Sequence, residues 1–586
     1  MTKKMPVEWN LNLLYSSVTD PTIEADQKKA DRGVDAFEKK YRTDKKYLKD
    51  SAALAQALLD YEKLISLPAD DAQYYVYLRK DKNIEDKEAE ALGARLEDRA
   101  TKRSNKLIFF ALELGKVSET VQNKFMKAEV LAPYRYWLTQ VFESAKYNLT
   151  EAEEKILSLK ADVSSGRWVQ ATDNVLNKQT VEFEGETLPL PEAEGKYMQL
   201  PLEQRHALYT KVRSVYGNVA DIAESELNAI YTDKKIDDEL RGMKEPYEAT
   251  IRGYQNEPKS VLALVKAVTD SAEISHRFYA AKKKLLGVKT LSYADRGASV
   301  GELKTKVPFD TAVSMVRDVF GGLDPAYADI FDRLLNNGQV DVYPKKGKTG
   351  GAYCLSSVEM PTFVLLNQTD SFESLKTLAH EMGHAVHAER AKSQRPLYQG
   401  HPISTAETAS TFFEYAALKR LLEILPEEER IIGLHNMIQD DVSTVFRQIA
   451  CFEFERDLHA AIRTQGYVAK EQIAALMNKH MGAYLGPAFT LVPEDGNFFV
   501  TWGHIRRFFY VYSYAYGQLI SKAMHRKLEK DPAYISKVDG FLSAGESMSP
   551  EDIFATCDLD TRKPALFKEG LKSIEADVAE LERLIK

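Results

Sequence analysis

Apolar residues recur at helical spacing over most of the chain. From about Pro21 to Leu131, charged and apolar positions follow the 3.6-residue helical period, with breaks near Asp44, Leu67-Pro68 and Val117. The pattern predicts a bundle of long antiparallel helices. Ala132-Pro133-Tyr134 interrupts it, and helix resumes from about Thr150 to Ser164. Val181 to Leu188 alternates instead with a strand period around Glu184-Gly185, which predicts a small hairpin. Pro189, Pro191 and Pro201 mark a connector, and helix is expected again from Pro201 to Leu285. A second β-rich piece comprises Val340 to Tyr343, Ala352 to Leu355 and Thr362 to Leu366. The fold class is therefore mainly α with a small β element. We place the boundary between a helical N-terminal region, 1–195, and a second region, 196–586, near residue 195. No internal repeat or low-complexity linker separates independent modules.

One helical segment carries chemistry. Phe372, Leu375, Leu378, Ala379, Met382 and Val386 form an apolar stripe, and Asp370 with Glu373 reads as a capping box starting a helix at about Ser371. Within it lies His380-Glu381-Met382-Gly383-His384, an H-E-x-x-H sequence. Residues four apart share a helical face, so His380 and His384 can aim two imidazoles at one zinc ion. Glu381, beside the first ligand, can reach a water on that ion. Lewis acid, water and carboxylate base together hydrolyse peptide bonds, so the segment points to a zinc peptidase.

Catalytic zinc usually keeps three protein ligands. A Gly and a third His just after the motif would supply one solution, but His387 and Arg390 stand at those positions. His387 lies about one turn beyond the pair and reads as a supporting residue rather than a ligand. The next helix offers Glu407 and Glu414, seven apart on one face. One can ligate zinc while the other hydrogen-bonds a ligand histidine. Glu407 also fits the last position of a capping box begun by Ser404, and Glu414 also fits a surface carboxylate.

Composition narrows the function. The 586 residues are 44% hydrophobic with a net charge of −8, and no long Lys/Arg block argues for nucleic acid as a partner. The charged start at Met1 to Lys4 has no apolar run behind it, and no stretch is apolar enough for a membrane span. Cys354, Cys451 and Cys557 form neither a zinc ribbon nor a disulfide framework, so cytoplasmic residence is the expectation. Gly347-Lys348-Thr349 ends like a phosphate loop but lacks its first Gly and precedes a strand, so it reads as a mobile turn.

Trp502-Gly503-His504 leads into a tyrosine-dense helix in which Tyr510 and Tyr514 share a face. Imidazole and phenol donors can point at a developing oxyanion, although an aromatic core helix accounts for the same pattern. Arg506 and Arg507 are candidates to meet a substrate carboxylate. His206, His276, His401, His435, His459, His480 and His525 have no partner pattern.

H-E-M-G-H followed by A-E-T-A-S-T-F-F-E resembles the M3 peptidases, most closely their oligoendopeptidase F group, with thimet oligopeptidases as more distant members. Gly350 to Cys354 with Pro361 to Asn367, the segment from His504 to Gly517, and the opening Trp9-Asn10-Leu11 with Leu14-Tyr15 resemble that group as well. The resemblance implies an elongated, multi-helix zincin-type fold with a small β-sheet beside the zinc helix and a deep cleft admitting short unstructured peptides. It implies one zinc per chain held by His380, His384 and Glu407, with Glu381 as general base. It also implies that His504 and nearby tyrosines, Tyr510 or Tyr514, stabilise the tetrahedral intermediate. The expected activity is endopeptidase cleavage of oligopeptides. A terminus-dependent zinc peptidase and a non-catalytic peptide binder are the alternatives.

Overall fold

The computed structural model describes residues 5–586; the charged start before Met5 lies outside the described residues. Four helices lead the chain: α1 (Pro21–Thr43), α2 (Ser51–Ile65), α3 (Asp71–Lys82) and α4 (Lys87–Gly115). Asp20, Asp50 and Asp86 cap α1, α2 and α4 by accepting backbone N–H groups that the first turn leaves without partners. The hairpin follows as β1 (Thr180–Phe183) and β2 (Glu186–Pro189), paired antiparallel. Glu184 and Gly185, both at positive φ, make the two-residue turn that matches the strand twist. The proline-marked connector holds a short helix, α5 (Leu190–Tyr197), because Pro191 sits in its first turn where no N–H is needed. Next comes α6 (Leu202–Arg241), 40 residues and about 60 Å long.

The second β-rich piece forms β3 (Val340–Asp341), β4 (Tyr353–Leu355) and β5 (Phe363–Leu365). Their order is β3-β5-β4, with β3 parallel and β4 antiparallel to the central β5. Then come α7 (Phe372–Ala391), α8 (Ile403–Ile424), α9 (Phe446–Gln465) and α10 (Tyr512–Lys530).

Contacts divide the chain into two compact units, each built from three segments. The first unit comprises Met1–Tyr147, Lys306–Arg420 and Pro532–Asp558. Its helical core clusters Phe37, Tyr41, Tyr47, Leu54, Phe110, Phe125 and Leu138. Its sheet is tied to the start of the chain by Trp9, whose indole N–H is shared between the Gln339 and Val364 carbonyls at 3.1 and 2.8 Å. Trp9 also packs edge-on to Phe363 of β5. The Gly347-Lys348-Thr349 turn is pinned rather than loose. The Lys348 side chain is covered, pairs with Asp341 at 2.7 Å and donates to the Tyr343 and Leu366 carbonyls at 2.9 and 2.6 Å. Its ammonium organises the sheet and is committed there, which leaves nothing for a phosphate.

The second unit comprises Asn148–Thr305, Leu421–Asp531 and Leu559–Lys586. It is built around α6, α9 and α10. Tyr231, Phe452, Phe509, Tyr512 and Tyr516 are among its buried aromatics. Arg506 is held by Glu226 through two hydrogen bonds of 2.8 and 2.9 Å and is therefore not free for a substrate carboxylate.

Candidate metal centre

Helix α7 begins one residue later than the capping-box reading places it. Asp370 has φ +56°, whereas Ser371 has the extended backbone that a cap requires, and its hydroxyl accepts the Ser374 N–H at 3.2 Å. The predicted stripe is buried, from Phe372 to Val386. The face beside it presents His380 and His384, with ring centroids 4.9 Å apart.

Helix α8 crosses close to this face at Gly383. A Cβ built there would lie 3.0 Å from the Ser410 Cα and 3.1 Å from Phe413 side-chain atoms. Glycine in a helix interior costs about 1 kcal/mol in propensity, so this one is explained by the close approach it permits. Ser404 lies inside the first turn of α8 and not at its cap, and its hydroxyl has no partner among the described residues. Glu407 is thereby released from the capping role. Ligand atoms of His380, His384 and Glu407 all lie within 4.8 Å of one another.

Glu414 has a different place. Its Oε2 lies 2.7 Å from His380 Nδ1. That bond makes Nδ1 a donor and turns Nε2 towards Glu407, whose Oε2 is 3.8 Å away. The two carboxylates that sequence spacing could not tell apart are thus separated by their neighbours.

The electrostatics suit a bound cation. Burial lifts Glu381 to about 7, with His380 pulling it down and the charges of Glu407 and Glu414 pushing it up. Burial likewise raises Glu407. Burial opposes the charge on His380, but the Glu414 hydrogen bond and the surrounding carboxylates win and lift it to about 9. His384 is pushed well down by burial and by His380. Three carboxylates crowded around two imidazoles at low exposure are what a divalent ion would neutralise. With nitrogen and oxygen donors in a group of three, the residues fit zinc.

The cluster opens on a cavity of about 390 Å³. Ala352, Tyr353, Cys354 and Ser356, on and around β4, form one wall. His380, Glu381, His384, Ala406, Glu407 and His401 complete its lining. His401 carried no signal in the sequence; its ring packs at a tilt against the buried His387 with centroids 4.5 Å apart, and His387 packs likewise against Phe541. His387 is outside the metal group, as its position on the helix implies.

The other predicted residues cluster in the second unit. His504 stacks on Tyr510 with centroids 5.5 Å apart, and Tyr514 lies 6.2 Å from His504 and 5.7 Å from Tyr510. Tyr510 is not on the helix, which starts at Tyr512. Phe508 and Phe509 precede it with φ of +46° and +62°, a conformation that costs non-glycine residues of order 1–3 kcal/mol. The turn is held by Thr250, which donates to the Phe508 carbonyl, and by buried Glu455, which accepts the Phe509 N–H, both at 2.8 Å. Burial, Arg447 and Arg507 hold His504 below its usual range, so it is a neutral donor. Burial and Tyr514 raise Tyr510, so its phenol keeps its proton.

Gly383→Ala gives a prediction that separates spacing from stability. Alanine gains about 1 kcal/mol of helix propensity and loses about 1–3 kcal/mol to overpacking. Denaturant unfolding should therefore show a net loss of between zero and about 2 kcal/mol, while zinc affinity in a chelator competition should fall because α8 must move with Glu407.

Comparison with known proteins agrees with this geometry. Residues 202–573 match the model of peptidase family M3, and residues 113–178 match that of oligopeptidase F. An oligoendopeptidase F homolog of Lactococcus lactis subsp. lactis is 25% identical across 99% of this chain and 97% of its own. Oligopeptidase PepF of Bacillus subtilis is 25% identical across 92% of this chain and 82% of its own. Among solved structures, oligoendopeptidase-F of Enterococcus faecium superposes with a TM-score of 0.69 at 21% identity, covering 96% of this chain and 99% of that one. The family match spans well over half of the residues, from the long helix α6 to beyond α10. The chain belongs to peptidase family M3, in its oligopeptidase F group, and is a metallopeptidase.

Proposed function

We propose that this protein is a zinc-dependent endopeptidase that hydrolyses internal bonds of short, unstructured peptides, with its machinery in residues 196–586. The observation that carries the reading is the half-buried group His380, His384 and Glu407, with Glu381 beside it in sequence and Glu414 bonded to His380. These three residues would hold the metal, which when bound supplies Lewis acidity and lowers the pKa of a water towards neutrality.

The chain's own groups supply the rest. The Glu381 carboxylate takes a proton from the attacking water and passes it to the leaving amine nitrogen. Glu414 keeps His380 in one tautomer and orientation. β4 is an edge strand of its sheet and lines the cavity, so an extended peptide can add to it by main-chain hydrogen bonds, which align a substrate without reading its side chains. His504 with Tyr510 or Tyr514 would donate to the developing oxyanion. Their support is the family resemblance and the neutral, protonated state in which their surroundings keep His504 and Tyr510.

The test is cleavage of an end-blocked, internally quenched peptide by the purified protein, with chelator and after zinc is restored. Internal cleavage that chelator abolishes and zinc restores is the expected result. Cleavage of free-ended peptides alone would replace the reading with a terminus-dependent peptidase. No cleavage by zinc-loaded protein would leave a peptide binder.

A further inference from the structure

Beyond the metal cavity, the first unit contains a second cavity of about 330 Å³. Ser356 and His401 line both, so the two adjoin at these residues. Val358 and Ala388 give the second cavity apolar wall, and Glu546 and Lys392 are its two charged residues.

The two charges are not equivalent. Lys392 is engaged by Glu389 at 2.6 Å and by the Met360 carbonyl at 2.8 Å. The Glu546 carboxylate has no hydrogen-bond or ion-pair partner among the described residues, and burial pushes its pKa up. It rests against the backbone of Gly400, where an added Cβ would come within 3.1 Å of its Cδ and Oε1. An unpaired carboxylate beside apolar wall is costly to the folded protein unless something cationic arrives.

We propose that this cavity is a specificity pocket that takes the side chain of a substrate arginine or lysine, with Glu546 as its counter-charge. The inference rests on the peptidase reading and refines it. The apolar wall would cover the aliphatic stem, as such stems commonly pack, while the guanidinium or ammonium reaches the carboxylate. Strand addition at β4 ignores side chains, so selectivity must come from a pocket of this kind.

The experiment uses zinc-loaded full-length protein and end-blocked quenched peptides. They carry Arg, norleucine or Glu in turn at each position near the scissile bond. At one position the parent should prefer Arg over norleucine. Glu546→Gln should reduce that kcat/KM ratio by about tenfold or more, and Glu546→Lys should turn the preference towards Glu. Gly400→Ala, which crowds the carboxylate, should reduce the ratio in the same direction. A parent that shows no Arg preference at any position, or a ratio unchanged in Glu546→Gln, overturns the pocket while cleavage of the norleucine peptides upholds the peptidase. A zinc-loaded parent that cleaves none of the peptides overturns both.

Discussion

Glu381→Gln is expected to lower kcat by roughly 10³-fold, within the span that general acid–base catalysis contributes, and to leave KM and bound zinc close to those of the parent. The amide nearly matches the carboxylate in shape, so the helix and the His380–His384 pair keep their geometry. What it lacks is a site for a proton. Glu381 is only 7% exposed and lies outside the His380, His384 and Glu407 group, so its loss should not empty the metal site. Stability supplies an internal control. In the metal-free protein burial pushes Glu381 up to about 7, above its unfolded value, so ionising it as pH rises through that range costs folding free energy. Removing the charge should therefore leave the metal-free variant melting no lower than the parent at pH 8. A variant that bound zinc and cleaved as fast as the parent would exclude Glu381 as the base.

The sequence made most of the helical fold legible, because amphipathic period and proline or aspartate punctuation are local. The breaks near Asp44, Leu67 and Val117 fall between helices for that reason, and so does the hairpin around Gly185. H-E-x-x-H was legible for the same reason, since both histidines sit on one helix. What failed needed partners distant in sequence. The seven-residue spacing of Glu407 and Glu414 puts both on one face, and only the placement of α7 shows which one meets His380 Nδ1. Tyr510 was read onto a helix because Phe508 and Phe509 carry no hint of a left-handed turn, which Glu455 and Thr250 impose from elsewhere. His401 and Glu546 gave no signal, because nothing local marks a residue whose role arises from a cavity wall. Gly383 did give one: a glycine inside a strong helical pattern asks for a packing reason, and the crossing with α8 supplies it.

Glu407→Ala and Glu414→Ala should differ in kind, and the pair separates holding a metal from orienting a ligand. Glu414 touches the far nitrogen of His380, so its loss frees the ring to rotate and to change tautomer without subtracting a ligand. Such outer partners typically contribute about 10- to 100-fold in metal affinity or activity. Glu414→Ala should therefore bind zinc more weakly in a competition assay and recover part of its activity as zinc is raised. Glu407 stands among the three groups within 4.8 Å of each other, and removing it leaves two imidazoles. Two nitrogen donors do not make a catalytic zinc site, which keeps three protein ligands. Glu407→Ala should hold less than one zinc per chain after dialysis, show a larger affinity loss than Glu414→Ala, and stay inactive when zinc is restored. Both variants lose one half-buried carboxylate from the same crowded group, so a general electrostatic effect would move them together. Equal zinc affinities in the two variants would therefore remove Glu407 from the ligand set, and the reversed order would exchange the two roles.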